Sequence, residues 1–398
     1  MKVHASHFAA FTLSAFLGAH FLGCSKSPNQ APEIRTEMRD AYQQARELFG
    51  YVWSPTMFQE KRNEKRIAAL LAALGEDFHR VEIDAPLDKF EPGFRVTLLA
   101  QRRLLADAGE RFNEGKKDYA NWKLRGMTAN CISCHSRYQV PVNFIGDYPN
   151  PDESSSESRL AQAEFLFATR QFDVASTRLE ELARSFASIE SGWRDAYRAL
   201  KLWLVIQVRT KNESEKAALF LERFVADGHV PSDYAPVLRR WIDDLRHPIP
   251  APSGPEQFVS AAKLLLDGFA KDSTVDDDDG RLVSTLRATS LLHQQLESSP
   301  TPELRKRATY LLGLAYSHLS IPLFEPFAEQ YLQVCIRDFP HTVEARKAYE
   351  LYSERLTGDL GVSGEQQLSK SQQKELTELK KLASPESSAT INDTTAPL

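Results

Sequence analysis

Apolar residues recur at spacings of three and four along most of this 398-residue chain, and no stretch shows the strict apolar–polar alternation of a half-buried strand. A spacing of three to four residues places apolar side chains on one face of an α-helix. The segment near residues 34–52 is a clear example, with apolar residues at Ile34, Met38, Ala41, Ala45, Leu48 and Val52. The pattern predicts an all-α protein.

Four such segments precede residue 140. Ser54 and Pro55 suit the cap and the first position of the second helix, and Gly115 separates the third from the fourth. Amphipathic helices of this number and length predict a four-helix bundle over residues 34–140. The predicted helices cover about residues 34–51, 55–78, 94–112 and 116–138.

The fourth predicted helix contains the run Cys131-Ile132-Ser133-Cys134-His135. On a helix, cysteines three residues apart share a face and can each form a thioether to a haem vinyl group, while the next residue, a histidine, reaches the iron. A zinc site would need two more ligands nearby, and the next histidine is His229. A thioredoxin-like redox pair would need flanking strands. The run therefore predicts one covalent haem c, with His135 as the proximal iron ligand.

The position of this run indicates the type of haem protein. All four methionines of the chain precede Cys131, so no methionine ligand can follow the motif as in small globular cytochromes c. A haem motif that closes a four-helix unit resembles the cytochrome c′ and cytochrome c-556 family over residues 34–138. The resemblance implies a sixth iron position that is either open or filled by a methionine of the first helix, which here is Met38.

Other residues near the haem motif are weaker candidates. Met57 begins the second helix, and His79 is an outside alternative to Met38 as distal ligand. Met127 lies two turns before His135 on the same helix and cannot reach the opposite haem face. Tyr119 and Trp122 lie on the haem helix, where they either pack against the haem or serve the bundle core. Core packing is likewise the alternative role of Met38.

The N-terminus resembles a bacterial lipoprotein signal. The apolar stretch 8–23 is short for a membrane-spanning helix, and it ends in Phe21-Leu22-Gly23-Cys24. This run resembles a lipobox, although Phe21 replaces the usual aliphatic residue. The resemblance implies a signal peptide over 1–23, acyl chains on Cys24, a tether over 24–33, and a periplasm-facing protein anchored to a membrane of the bacterial envelope. The alternative is an ordinary secretory signal followed by a coincidental cysteine.

The second half of the chain is expected to be a helical-repeat domain. A linker is predicted over 141–157, and the segment Ala163–Ala175 looks like the first helix and turn of a tetratricopeptide repeat. A second match lies near Tyr310–Tyr316, but the period between them is irregular, which predicts an α-solenoid over 158–357. Cys335 is expected to be a buried small residue, and the acidic run 276–279 a solvated loop. Residues 358–398 are polar and are expected to form a disordered tail, with one frayed helix at most.

The net charge and the predicted haem limit the classes of function to be considered. A net charge of −5 gives no basic excess with which to bind nucleic acid. We expect an electron-transfer cytochrome rather than an enzyme, with a redox partner protein and a helical-repeat domain that docks a protein partner. One alternative is a sensor of nitric oxide or carbon monoxide with an open sixth site. Another is an envelope assembly scaffold in which the haem is accessory.

Overall fold

The computed structural model describes the chain between residues 32 and 385, and every regular element in the described residues is helical, as predicted. The described ranges are 32–84, 92–135, 156–247, 254–266, 279–298, 300–319, 321, 324–363, 368 and 370–385. The first six helices are α1 (Pro32–Val52), α2 (Pro55–Gln59), α3 (Glu64–Asp84), α4 (Pro92–Asn113), α5 (Lys117–Arg125) and α6 (Met127–His135).

Eleven further helices are described after residue 155. The first six are α7 (Ser156–Ala168), α8 (Phe172–Ala187), α9 (Trp193–Val205), α10 (Ser214–Ala226), α11 (Ala235–Arg246) and α12 (Pro255–Leu266). They are followed by α13 (Leu282–Glu297), α14 (Pro302–Ser317), α15 (Glu325–Asp338), α16 (Val343–Ser363) and α17 (Lys370–Ala383). A π-helix, Ile206–Lys211, extends α9 directly.

Two helices predicted as continuous are interrupted. The second predicted helix divides at Glu60, whose ψ of 129° is extended, and a 3-10 turn follows at Lys61–Asn63. The Asn63 amide fastens this break by donating to the Met57 carbonyl at 2.8 Å. The fourth predicted helix divides at Gly126, between α5 and α6. Periodicity continues across both breaks, which is why the sequence predicted unbroken helices.

Two large buried clusters account for most of the core. The first joins α1, α3, α4 and α5 and includes Leu48, Leu74 and the ring of Phe165 from α7. The second runs from α6 through α7 to α15. Helix α6 contributes to both, because Met127 belongs to the first cluster and Ile132 to the second.

Helices that follow one another along the chain are mostly packed as neighbours. In the first half α1 packs on α3, α3 on α4, and α4 on both α5 and α6. Helix α6 then packs on α7, and most later helices pack on the next one along the chain; α10 instead contacts the π-helix after α9, and α11 contacts α13. Helix α15 also packs against α4, so the two halves touch at a second place. The chain from residue 31 onward forms one compact unit.

The prediction of a disordered tail over residues 358–398 is wrong for part of that segment. Helix α16 extends to Ser363, and α17 buries Leu379 completely against α15 and α16. The His341 amide reinforces this contact by donating to the Leu382 carbonyl at 2.7 Å. The polar composition of this segment led to the prediction of disorder. Its few apolar residues, however, lie on one face of α17 and pack into one cluster. Cys335 is fully buried in the same cluster, as predicted.

Several predicted segments lie outside the described residues. These are the signal peptide 1–23 with Cys24, nearly all of the tether, most of the linker 141–157, and residues 276–278 of the acidic run. Among the residues that are described, no helix is long and apolar enough to cross a membrane.

Candidate functional site

Helix α6 carries the Cys-x-x-Cys-His run and is held in place by short-range and long-range contacts. The turn at Gly126 starts it, since the Ala129 amide donates to the Gly126 carbonyl at 3.2 Å. The buried side chain of Asn130 donates to the Gln101 side-chain oxygen of α4 at 2.9 Å. These bonds help to hold α6 in place, and its Cys131 and His135 share a cavity with residues of α1 and α7.

A small, partly open cavity of about 40 Å³ lies between α1, α6 and α7. Three residues that the sequence singled out as iron or haem ligands line it together: Met38 on α1, and Cys131 and His135 on α6. The remaining lining residues are mostly apolar or aromatic. They are Ala41, Tyr42, Ala45, Phe49, Phe78, Met127, Thr128, Phe165, Ala168 and Thr169.

The aromatic wall of the cavity comes from two separate parts of the chain. Phe165 of α7 packs its ring 4.7 Å from Phe49 and 6.3 Å from Tyr42, both on α1. Burial raises the pKa of Tyr42 above its ordinary value, so its hydroxyl stays protonated at neutral pH. A cavity with such walls excludes water from whatever it holds.

The imidazole of His135 is oriented by the second half of the chain. Its Nδ1 lies in a short hydrogen bond with the backbone carbonyl of Ala168 at the end of α7. A carbonyl can only accept, so Nδ1 carries the proton and Nε2 is left with a lone pair. This tautomer, fixed by a backbone carbonyl, is the arrangement commonly found in histidines that ligate metals.

The charge state of His135 also suits a metal ligand. Burial and, to a smaller extent, the positive charge of Arg170 lower the pKa of His135 to about 3, and the hydrogen bond to Ala168 opposes both effects. The ring is therefore neutral at physiological pH, which is the form that binds metals.

Arg170 occupies an unusual backbone position beside this histidine. Its φ of 63° is left-handed, a conformation that side chains other than glycine seldom adopt. It closes α7, because its amide donates to the Phe167 carbonyl at 3.0 Å and the Gln171 amide donates to the Leu166 carbonyl at 2.9 Å. The turn brings the positive charge of Arg170 close enough to His135 to lower the pKa of that histidine.

The other candidate residues are placed differently. Cys134 lies on α6, one turn after Cys131, but its side chain is outside the described part. Tyr119 and Trp122 are 40% and 65% exposed, pack on each other at 5.7 Å, and do not line the cavity. Met57 is 42% exposed on α2, also outside it.

His79 lies away from the cavity, in a groove between α3 and α4, with Nδ1 3.7 Å from the Glu82 carboxylate. Met127, in contrast, lines the cavity and is only 1% exposed. It belongs to the same helix as His135, about 12 Å away along the axis at 1.5 Å per residue. A ligand opposite His135 must come from another helix, and Met38 meets that condition.

A second cluster of possible metal ligands lies nearby, at Glu37, Asp40 and Asp77. One carboxylate oxygen from each lies within 4.8 Å of the others. The Arg80 guanidinium already bridges the cluster, donating to Glu37 at 2.7 Å and to Asp77. The cluster therefore has its own counter-cation and differs from the apolar cavity in chemistry.

Sequence reasoning missed the residues in and just after α7 that complete the cavity, namely Phe165, Ala168 and Thr169. They lie 30 or more residues after Cys131, beyond a predicted linker, and no local pattern marks them as neighbours of α6. The donors at this cavity nevertheless suit a covalently attached haem: a thiol, a neutral imidazole with one nitrogen already bonded, and a thioether across from it. No protein-family model, no curated protein and no solved structure matches this chain.

Proposed function

We propose that this protein is an electron-transfer cytochrome with one covalent haem c, bound between α1, α6 and α7. In this proposal α1–α6 form a four-helix bundle similar to cytochromes c′ and c-556, followed by an α-solenoid. The observation that carries the proposal is a single apolar cavity lined by Met38, Cys131 and His135, with the histidine held in a metal-binding tautomer.

Each residue has a distinct role in this proposal. Cys131 and Cys134 would attach the porphyrin through thioethers, and His135 would bind iron through Nε2 while Ala168 holds its Nδ1 proton. Met38 of α1 would supply a further iron ligand. The haem, when bound, provides a one-electron redox couple. Phe49 and Phe165 exclude water from the iron.

The remaining parts of the proposal concern location and partners. A methionine–histidine pair leaves no open iron position, which suits an electron carrier better than a catalyst. Acyl chains on Cys24 would hold the protein on a bacterial envelope membrane, facing the periplasm. The helical pairs after α7 would dock a partner protein, since stacked helix pairs present extended binding surfaces.

Covalent attachment is tested by producing the protein in a bacterium that attaches c-type haem in its periplasm. Haem should remain with the polypeptide after denaturation and organic extraction, as seen by haem staining of a denaturing gel. The double variant Cys131→Ala/Cys134→Ala should lose the stain, whereas the control Cys335→Ala should keep it. Absence of stain from the unmodified protein, when a known c-type cytochrome stains in the same cells, would refute the proposal.

The distal ligand is tested by absorption spectroscopy of the ferric haem protein. Methionine–iron ligation gives a weak red charge-transfer band, which Met38→Ala should abolish and Met57→Ala should leave unchanged. If only Met127→Ala abolished the band, the distal ligand would be Met127 of α6 and not Met38. A high-spin spectrum in the unmodified protein, with a shift upon addition of carbon monoxide, would favour the gas-binding alternative.

A further inference from the structure

A buried arginine far from the haem motif lacks the partners that a buried charge normally has. Arg209 lies in the π-helix Ile206–Lys211 at the end of α9, and it is only 8% exposed. A π-helix is uncommon and frequently occurs at functional sites. In the described part of the chain Arg209 forms no ion pair, and its Nη1 is buried without a hydrogen-bond partner.

Among the described residues, two aromatic rings lie against its guanidinium. The guanidinium carbon lies 5.4 Å from the centre of the Phe324 ring and 5.9 Å from that of Tyr316. Both rings are almost completely buried, and Tyr316 is fixed further by stacking on Tyr331 at 5.5 Å and by a 2.9 Å hydrogen bond with His293. Ring faces attract the cation but supply none of the oxygen acceptors that its five N–H groups require.

A half-buried arginine shows how this chain satisfies such a group when the purpose is structural. Arg287 donates to the carbonyls of His247 at 3.0 Å and Leu245 at 3.2 Å, and to the Ser214 hydroxyl at 3.0 Å. It thereby caps the end of α11. Among the described residues Arg209 has no comparable set of oxygens, although it is the more deeply buried of the two.

We propose that Arg209, whose guanidinium lies over the rings of Tyr316 and Phe324, binds an oxyanion. This oxyanion is the carboxylate or phosphate group of a ligand. An oxyanion supplies the missing negative charge and the acceptors, and its planar or tetrahedral oxygens match the guanidinium fork. The site belongs to the helical-pair half of the chain and does not depend on the haem proposal.

The test compares thermal unfolding of the full chain in phosphate, acetate and chloride at equal ionic strength. An anion that binds only the folded state raises the unfolding midpoint. In ~10 mM phosphate or acetate the unmodified protein should gain ~2 °C or more over chloride, and Arg209→Met should gain nothing. A larger gain with phosphate indicates a phosphate ester as ligand, and a larger gain with acetate indicates a carboxylate.

The matched control is Arg184→Met. Arg184 also lies over a ring, 5.0 Å from Phe220, but it is exposed and paired with Asp227 at 3.0 Å. This variant should keep the anion response. In chloride alone Arg209→Met should unfold at the same or a higher temperature than the unmodified protein, because it removes an unpaired buried charge. Equal anion responses in all three proteins, or no heat of binding by calorimetry with phosphate and with acetate, would overturn the proposal.

Discussion

At the scale of single residues, burial decides how ionisable groups of this protein behave. Asp77 is 1% exposed, and its pKa is raised to about 6, mainly by burial, against the attraction of Arg80. Its Oδ2 has no hydrogen-bond partner. Asp40 and Glu37 add further negative charge to the same cluster. Burial without enough compensation makes this carboxylate a cost to folding at neutral pH.

Asp77 is therefore expected to give the protein a distinctive pH dependence. Its pKa in the folded state, about 6, lies above the ordinary 3.8, so the folded state binds this proton more tightly. Its contribution to the free energy of unfolding should fall as pH rises from about 4 to about 6, by up to about 3 kcal/mol. Asp77→Asn should flatten this slope and be about 1–2 kcal/mol more stable at pH 7.

Urea unfolding at a series of pH values measures this effect. The control is Glu354→Gln, an exposed carboxylate on α16 that is not among the charges acting on Asp77, and this variant should retain the slope of the unmodified protein. Identical slopes for Asp77→Asn and the unmodified protein would show that Asp77 is ionised in the folded state throughout this range.

Phe165 is the residue by which α7 enters the first core. Its ring is 2% exposed and packs on Phe49 and Tyr42. Phe165→Ala should lower the free energy of unfolding by about 3–5 kcal/mol because it leaves a cavity between α1 and α7. Urea unfolding checks the value, and Val174→Ala, at a site 54% exposed on α8, should change it by less than about 0.5 kcal/mol. Equal effects would mean that α7 does not pack as described.

At the scale of elements, the helices differ in how much of their geometry local sequence explains. Gly115, with φ of 81°, lies between α4 and α5 and separates the two helices, as predicted. Gly192 precedes α9 in a turn so close to Phe186 that an added Cβ would lie 3.0 Å from the Phe186 carbonyl carbon. Gly75, in the middle of α3, has open space around the same position. The effect of an added side chain at these two glycines depends on the atoms that surround each position in the folded protein.

Replacing these two glycines should have opposite effects. Gly192→Ala should destabilise the protein by about 1–3 kcal/mol, since the backbone of Phe186 must move. Gly75→Ala should stabilise it by about 0.5–1 kcal/mol, because alanine favours a helix interior. Thermal unfolding measures both, and destabilisation by Gly75→Ala would contradict the open space found around this position.

Helix α17 can be tested through Leu379, its one fully buried leucine. Leu379→Ala should weaken the packing of α17 on α15 and α16 by about 2–4 kcal/mol. Hydrogen exchange should then accelerate in α17 more than in α9, since a terminal element opens locally. The exposed neighbour variant Lys380→Ala should leave exchange unchanged. Unprotected amides throughout α17 in the unmodified protein would restore the prediction of a disordered tail.

At the scale of the whole molecule, α6 links the two halves. Ile132 is fully buried in the second core, while Met127 of the same helix is buried in the first. Helix α15 makes the second contact, against α4. Sharing a helix between two cores couples their stability, and it puts the histidine of the motif under the control of α7.

Ile132→Ala should therefore destabilise both halves together, by about 2–4 kcal/mol. Hydrogen exchange at the most protected amides of α3 and of α9 should accelerate by similar factors. Ile83→Ala, at a position 66% exposed on α3, serves as the control and should alter neither. Acceleration confined to α9 would mean that the halves unfold independently.

The sequence by itself determined the helical class and most helix positions, because these depend on spacings of a few residues along one helix, and it predicts the haem chemistry of the Cys131–His135 run. Tertiary structure decided what surrounds that run. The Ala168 carbonyl and the Phe165 ring reach it from α7, and the Arg170 charge reaches it from the turn after α7. Contacts between residues 30 or more positions apart leave no periodic signal in the sequence, because they depend on how the helices pack against one another.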